Sequence, residues 1–304
     1  MGMIDVSEKP DSSRTATAQA LIYVSPKTME RVKDGNSPKG NLFEAAKISA
    51  TIAVKKTFEL IPYCHSIPID AISVEFAVEK DFIKIAVGVK TVWKTGVEME
   101  ALTGASIGAL TMYDMLKPID ENLKIESIKV LEKKGGIKNL YLKKDGKKLF
   151  AVVIVISDTR NTETDQSGKI IINTLKEKGF EIVDYKVIPD NQKTIEEELK
   201  SYCNRSNIDI ILTSGGTGIG PHDVTPEATK NIIEREIDGI EETLRNYGQQ
   251  RTPTSMLSRQ VAGIIGNTII INLPGSTDAV TQSLCVLFPG ILHAFKMISG
   301  HGHE

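Results

Sequence analysis

Two hydrophobic patterns that cannot belong to one sheet meet near residue 145. Ahead of that point, residues 70–79 (DAISVEFAVE) place Ile72, Val74, Phe76 and Val78 at every second position, and residues 82–92 alternate again. Period-two alternation marks a strand with one face on a core and the other toward water. Beyond it, residues 150–156 are apolar without interruption, as expected of a strand covered on both faces. The chain is therefore expected to fold as two domains of different class, residues 1–148 and 149–304. They meet in the lysine-rich stretch 133–149, with its Asp145-Gly146 turn signal. A length of 304 residues accommodates this, at about 150 residues per domain.

In the first half, residues 41–59 carry helical apolar spacing and Glu98 to Lys117 read as a second long helix. Together with the alternating strands they predict an α+β domain, an antiparallel sheet with helices on one face in a ferredoxin-like layout. In the second half, strands and helices alternate: KIIINTLKEKG, EIVDYKVI, IEEELKSYC, DIILT, a helix starting at Pro226, TIIINL and TDAVTQSLCVL. That order predicts a doubly wound, mostly parallel α/β sheet.

Composition narrows the function classes. The longest apolar run is too short to span a bilayer, and the polar, acidic start MGMIDVSEKPDSS resembles no signal or transit peptide. Cys64, Cys203 and Cys285 are odd in number and scattered, which suits a reducing compartment, and the expected location is the cytoplasm. Net charge is −2, with 23 Lys+Arg against 19 Asp+Glu in residues 1–149 and 14 against 20 in the remainder. The basic excess is too small and dispersed for a nucleic-acid footprint, but it suits a small anionic ligand.

In a doubly wound sheet, ligands bind beyond the carboxyl ends of the strands. Those ends are Ser157-Asp158, Pro189-Asp190, Ser214 to Gly220 and Pro274-Gly275-Ser276, each followed by a helix whose N-terminus favours anions. Taken singly, each has a structural reading: Ser276 and Asp190 as helix caps, Thr225-Pro226-Glu227 as a helix start. The glycine-rich run TSGGTGIGPHDVTPEAT is neither a P-loop nor a dinucleotide fingerprint. It also sets a carboxylate, Asp223, beside an apparent phosphate cradle. A divalent cation between the two resolves that conflict, because Mg²⁺ is held by one or two carboxylates plus substrate phosphates. Asp190 is the candidate second carboxylate, and the chemistry implied is metal-assisted phosphoryl or nucleotidyl transfer.

The same run, with MLSRQVAG, NLPGS, SDTR, the SG at 167–168 and IPD at 188–190, resembles the molybdopterin adenylyltransferase family (MogA- and MoaB-like proteins) over residues 150–298. The resemblance implies transfer of AMP from Mg²⁺-bound ATP onto the terminal phosphate of molybdopterin, with release of pyrophosphate. It implies Asp190 and Asp223 as catalytic, metal-holding acids. Ser214, Gly215, Gly216, Thr217 and Gly218 then bind substrate, with Pro274, Gly275 and Ser276 on the opposite side.

The first half contains one histidine, His65, in PYCHSIP. Beside Cys64 it makes a poor zinc site, so proton transfer or hydrogen bonding is its expected part, with a satisfied structural histidine as the rival reading. Asp114 and Lys117 are neighbours on one helix face, and Glu98, Met99 and Glu100 stand at the helix start. Between them, residues 101–113 carry no charge, so the charged ends of a mostly buried helix are placed to border a site.

PYCHS, GVEMEALTGAS, LTMYDMLK and SPKGNLFEAAKI resemble the cyclic pyranopterin monophosphate synthase family (MoaC) over residues 3–148. The resemblance implies conversion of 3′,8-cyclo-7,8-dihydroguanosine 5′-triphosphate into cyclic pyranopterin monophosphate, with loss of pyrophosphate and no cofactor. It implies Lys39, Asp114 and Lys117 as catalytic, with Asp114 available as a base. Arg14 is then a phosphate contact, and Tyr63, Cys64, His65, Glu98, Met99 and Glu100 lie at the substrate. Relatives carry KSGGKS where this chain has KKGGIK at 133–138.

The expectation is a bifunctional enzyme of molybdenum cofactor biosynthesis with pterin and nucleotide substrates and no nucleic-acid or membrane partner. The rivals are a second half that holds molybdopterin without turnover, or one that only drives assembly. The resemblances imply a homo-oligomer, a hexamer with threefold symmetry in which dimers of the first domain share active sites.

Overall fold

The computed structural model describes residues 2–136, 148–205 and 207–298. The Asp145-Gly146 turn, most of the expected junction, the end of the KKGGIK segment and the His301-Gly302-His303 tail lie outside the described residues. The chain divides into two compact units, Met1–Leu142 and Lys143–Glu304.

The first unit runs β1 (Ser12–Tyr23), α1 (Pro26–Lys33), α2 (Leu42–Lys55), α3 (Thr57–Leu60), β2 (Ala71–Val78), β3 (Phe82–Trp93), α4 (Glu98–Leu116) and β4 (Lys124–Gly135). Its four-stranded sheet has the order β2-β3-β1-β4, with antiparallel pairing throughout, the βαββαβ arrangement expected. The central strand β1 turns Ala16, Ala18, Ala20 and Ile22 into the core. Three of those four are alanines, so the alternation is faint on a hydropathy scale. The helix expected over 41–59 is interrupted at Lys56, where ψ of 12° ends α2 and α3 begins.

Helix α2 is capped by Asn41, whose side chain accepts the Glu44 N–H at 3.1 Å. It lies antiparallel on α4, and glycines set how closely. A Cβ at Gly104 would stand 2.7 Å from Val54 Cγ2, and one at Gly108 would stand 3.3 Å from Ala50 Cβ. That approach carries the segment before α2, with Lys39, to the far end of α4.

The second unit runs β5 (Leu149–Ile156), α5 (Ser167–Glu177), β6 (Phe180–Ile188), α6 (Gln192–Cys203), β7 (Ile210–Ser214), α7 (Thr225–Lys230), β8 (Arg235–Glu236), α8 (Asp238–Gln249), a 3-10 turn (Pro253–Leu257), β9 (Ala262–Ile265), β10 (Thr268–Leu273), α9 (Thr277–Leu287) and α10 (Ile291–Ile298). The six-stranded sheet has the order β6-β5-β7-β10-β9-β8; the first four strands pair in parallel, and β9 is antiparallel to both β10 and β8. Strand β5 sends Ala151 and Val153 into one core, with Ile171 and Leu175 of α5. It sends Val152 and Ile154 into the other, with Ile195 and Leu199 of α6. Burial on both faces is the reason for its unbroken apolar sequence. Among the described residues no single helix is long and apolar enough to cross a membrane.

Candidate active sites

Helix α4 carries a polar cluster at each end. At its C-terminal end Lys39 Nζ lies 2.7 Å from Asp114 Oδ2, and Lys117 Nζ lies 2.8 Å from Asp114 Oδ1. Hydrogen bonds from Lys117 and then Lys39 pull the Asp114 carboxyl down to about 2, and the same contact pushes Lys117 up. All three side chains are exposed. The result is a carboxylate that holds two ammonium groups toward solvent, an arrangement that suits phosphate oxygens.

At the N-terminal end, Glu100 is buried and its Oε2 has no partner. Burial pushes its carboxyl up, and the charge of Glu98 adds to this. The Cys64 thiol is also raised, by burial and then by Glu100. His65 Nε2 is 2.8 Å from the Ile4 carbonyl, Glu98 pairs with Lys133 at 3.2 Å, and Arg14 Nη2 donates to Lys94 O at 3.4 Å. Arg14 Nε is buried without a partner, and burial lowers that guanidinium's pKa. Tyr63 and Met99 are exposed beside this group. Lys133 of the KKGGIK segment therefore reaches Glu98, whereas Ile137 and Lys138 fall outside the described residues. Glu100 and Asp114 are 14 positions apart on one helix, about 21 Å along its axis. Within one chain the two clusters stay separate.

In the second unit the ends of β5, β6, β7 and β10 meet as expected. Gly216, with φ of +63°, lies against Asp190 so closely that a Cβ there would be 2.9 Å from Asp190 Oδ1 and 2.3 Å from Thr225 Oγ1. Asp190 is not the cap of α6; Asn191 is, accepting the Thr194 N–H at 3.1 Å, so the Asp190 carboxylate is left to the site. Burial raises its pKa, and the charges of Asp158 and Asp223 raise it further. Asp223 Oδ2 accepts the Gly220 N–H at 2.7 Å, within the glycine loop itself.

Ser214 is fully buried and donates to Pro274 O at 2.8 Å, tying the loop after β7 to the loop after β10. Gly215 and Gly275 face each other, a Gly275 Cβ falling 3.4 Å from Gly215 Cα. Ser276 caps α9 through the Ala279 N–H. Between the two loops opens a cleft of about 530 Å³. Gly216, Thr217, Gly218 and Asp223 line one wall, and Pro274, Gly275 and Ser276 the other. Asp190 stands behind Gly216 and is not part of the lining.

Several residues of this site were not expected. Tyr247 of α8, with Ser255, Ser258 and Gln260 beyond it, contributes to the cleft lining. Gln260 is buried and its Nε2 has no partner. Two arginines lock the loops. Arg160 Nη1 donates to Gly275 O at 3.0 Å and lies beside the fully buried Asp165, which accepts from Ser167 Oγ, the Gly168 N–H and Tyr185 Oη. Arg259 binds the glycine loop from behind. Both lie in segments that carry the resemblance, SDTR and MLSRQVAG, but nothing in those segments assigned either arginine a part in the site.

Among the described residues no three His, Cys, Asp or Glu side chains cluster as a metal cage. Asp190 and Asp223 are instead two carboxylates beside glycine N–H groups, a donor set that suits Mg²⁺ already carried by substrate phosphates.

Both units thus present anion-receiving groups on unrelated scaffolds, as expected of a two-domain protein for phosphorylated ligands. Residues 3–136 match the MoaC family and residues 152–293 a family described as probable molybdopterin binding domain. The chain is 40% identical over 305 residues to a molybdenum cofactor biosynthesis bifunctional protein of Chlorobaculum tepidum, covering 99% of this chain and 96% of that one. A protein of the same name from Synechococcus elongatus is 33% identical over 99% of this chain and 98% of its own length. A cyclic pyranopterin monophosphate synthase of Aquifex aeolicus is 31% identical over 92% and 93% of the two chains. The chain belongs to the bifunctional molybdenum cofactor biosynthesis proteins, a MoaC domain followed by a domain of the MoaB/MogA kind.

Proposed function

We propose that both domains are catalytic. The first converts 3′,8-cyclo-7,8-dihydroguanosine 5′-triphosphate into cyclic pyranopterin monophosphate and pyrophosphate; the second adenylates molybdopterin with Mg²⁺-ATP and releases pyrophosphate. The second reading rests on one observation: Asp190 packs against Gly216 where a side chain would not fit, and Asp223 accepts the Gly220 N–H, so both carboxylates border the glycine loop. Holding a phosphate without turnover gains nothing from two carboxylates.

In the first domain Lys39 and Lys117 receive the triphosphate. Asp114, its pKa held down to about 2, keeps both ammonium groups aimed and raises the pKa of Lys117, so its part is orientation rather than proton abstraction. Glu100, with its raised pKa and unpartnered Oε2, offers a hydrogen bond to the heterocycle. Because about 21 Å of α4 separates the clusters, one site takes Lys39, Asp114 and Lys117 from one copy and the His65–Glu100 group from another. A hexamer with threefold symmetry, built from such dimers, meets this requirement.

In the second domain Asp190 and Asp223 would hold Mg²⁺, which when bound neutralises phosphate charge as pyrophosphate leaves. The glycine-loop N–H groups and the α9 N-terminus orient the phosphates. Pyrophosphate release, measured on the intact chain with each substrate alone, tests both assignments. Binding of molybdopterin with no pyrophosphate from ATP would reduce the second domain to a carrier.

A further inference from the structure

The glycine loop after β7 has no helix or strand between Thr217 and Asp223, yet three of its carbonyls converge on one residue. The Arg259 backbone N–H, which any residue at this position keeps, donates to Thr217 O at 2.9 Å. Its Nε donates to Gly218 O at 2.6 Å and its Nη2 to Asp223 O at 2.5 Å. Its remaining nitrogen, Nη1, pairs with Glu227 of α7. Arg259 does not line the cleft; it stands behind the loop.

Trans peptide geometry gives these contacts a consequence. The C=O and the following N–H of a planar trans unit point in opposite directions. Turning the Thr217 and Gly218 carbonyls onto Arg259 turns the N–H groups of Gly218 and Ile219 away from it, toward the side on which Gly218 lines the cleft. Anchoring the Asp223 carbonyl fixes the backbone that carries the carboxylate. A loop with glycines at 215, 216, 218 and 220 has little stiffness of its own, so its shape depends on what its carbonyls bind.

We infer that Arg259 is a positioning residue for adenylyl transfer, fixing both ends of the Thr217–Asp223 loop and so placing the Asp223 carboxylate and the anion-binding N–H groups. The inference rests on the adenylyl-transfer reading above. A lysine cannot replace the fork, because its single nitrogen cannot span two carbonyls and a carboxylate at once.

The test compares R259K, R259Q and E227Q in the full-length chain, with pyrophosphate release read against ATP, molybdopterin and Mg²⁺. E227Q removes only the ion pair and keeps the carbonyl contacts. In R259K, kcat is expected to fall about 100-fold, the scale for a reacting group displaced by about 1 Å. Half-saturating Mg²⁺ is expected to rise about tenfold, the scale for losing an outer-shell support. The dissociation constant for molybdopterin stays within about twofold, and E227Q keeps wild-type kcat even where its melting temperature falls as far as that of R259K. A purely stabilising role predicts instead that kcat follows melting temperature in all three variants and that the Mg²⁺ curve does not move; that result overturns the inference. R259Q serves where R259K is recovered unfolded, and failure of both to fold assigns Arg259 to folding and also overturns it. A wild-type chain that releases no pyrophosphate from ATP overturns the adenylyl-transfer reading, and this inference with it.

Discussion

The Asp223 carboxylate accepts the Gly220 N–H at 2.7 Å, so it already fills one of the donors that the glycine loop offers to an anion. An incoming phosphate must take that donor from the carboxylate, and a cation beside Asp223 makes the exchange favourable. Asp223→Asn keeps a carbonyl oxygen for Gly220 and removes the charge. We expect the fold and molybdopterin binding to survive, while adenylyl transfer falls by about 2.7–4 kcal/mol of transition-state stabilisation. The KM for ATP should not rise, because the amide surrenders Gly220 more readily than the carboxylate does. Undiminished turnover in the Asn variant would remove Asp223 from the metal site.

Asp190 predicts a trade of stability for function. Its pKa is raised in the folded chain by burial and by the neighbouring charges of Asp158 and Asp223. A raised carboxylate pKa means the native state binds the proton more tightly than the unfolded chain, so the ionised native form is penalised above that pKa. The penalty fades as pH falls through the native pKa and is gone below the ordinary value of 3.8. Asp190→Asn should therefore melt higher than the parent at pH 7, by a margin that shrinks on acidification, and should lose adenylyl transfer. Equal melting curves at pH 7 would contradict the raised pKa.

The pair Asp114 and Lys117 makes the opposite statement about pH. With Asp114 held down to about 2, this carboxylate contributes no acid limb to pyranopterin formation between pH 4 and 7. Lys117 owes its raised pKa to Asp114, so Asp114→Asn lets it lose its proton at lower pH. The alkaline limb of the pH–rate profile should move down in the variant while activity at neutral pH falls. An alkaline limb that stays in place would show that Lys117 does not carry the rate-limiting charge.

The two ends of α4 predict complementation. Lys117→Ala removes one cluster and His65→Ala impairs the other, and each variant alone should be nearly inactive. Because the clusters sit about 21 Å apart on one helix, mixed oligomers contain sites in which both halves are intact. Co-refolding the two variants should restore a measurable fraction of pyranopterin formation. No recovery from demonstrably mixed oligomers would mean that each chain completes its own site.

Much of this was legible in the sequence, for identifiable reasons. The α/β unit announces itself because β5 is buried on both faces and so reads as one apolar run. Strand β1 escapes such a reading because its core face is mostly alanine, and β4 because its exposed charges mask its alternation. Asp114 and Lys117 are neighbours by helical arithmetic, but Lys39 joins them only because Gly104 and Gly108 let α2 lie close along α4. Asp190 and Asp223 are found from strand ends, which topology brings together. Arg160 and Arg259 are not found that way, since what they hold are backbone carbonyls, which leave no residue-type signature.

The two activities should be separable, and the reason is chemical. Molybdopterin carries dithiolene sulfurs that cyclic pyranopterin monophosphate lacks, so a sulfur-inserting reaction has to stand between the two proposed steps. Cys64, Cys203 and Cys285 form no disulfide, and burial pushes the Cys203 thiol up to about 12, far from a reactive thiolate. The first product therefore has to leave this protein and return modified, and neither site gains from direct transfer to the other. Asp114→Ala with Lys117→Ala should abolish pyranopterin formation and leave adenylyl transfer near the parental rate, while Asp190→Ala with Asp223→Ala should do the reverse. Both double variants need to be shown to assemble as the parent does before rates are compared. If either pair of substitutions eliminates both activities in an intact assembly, the sites are coupled, and two independent enzymes on one chain is the wrong description.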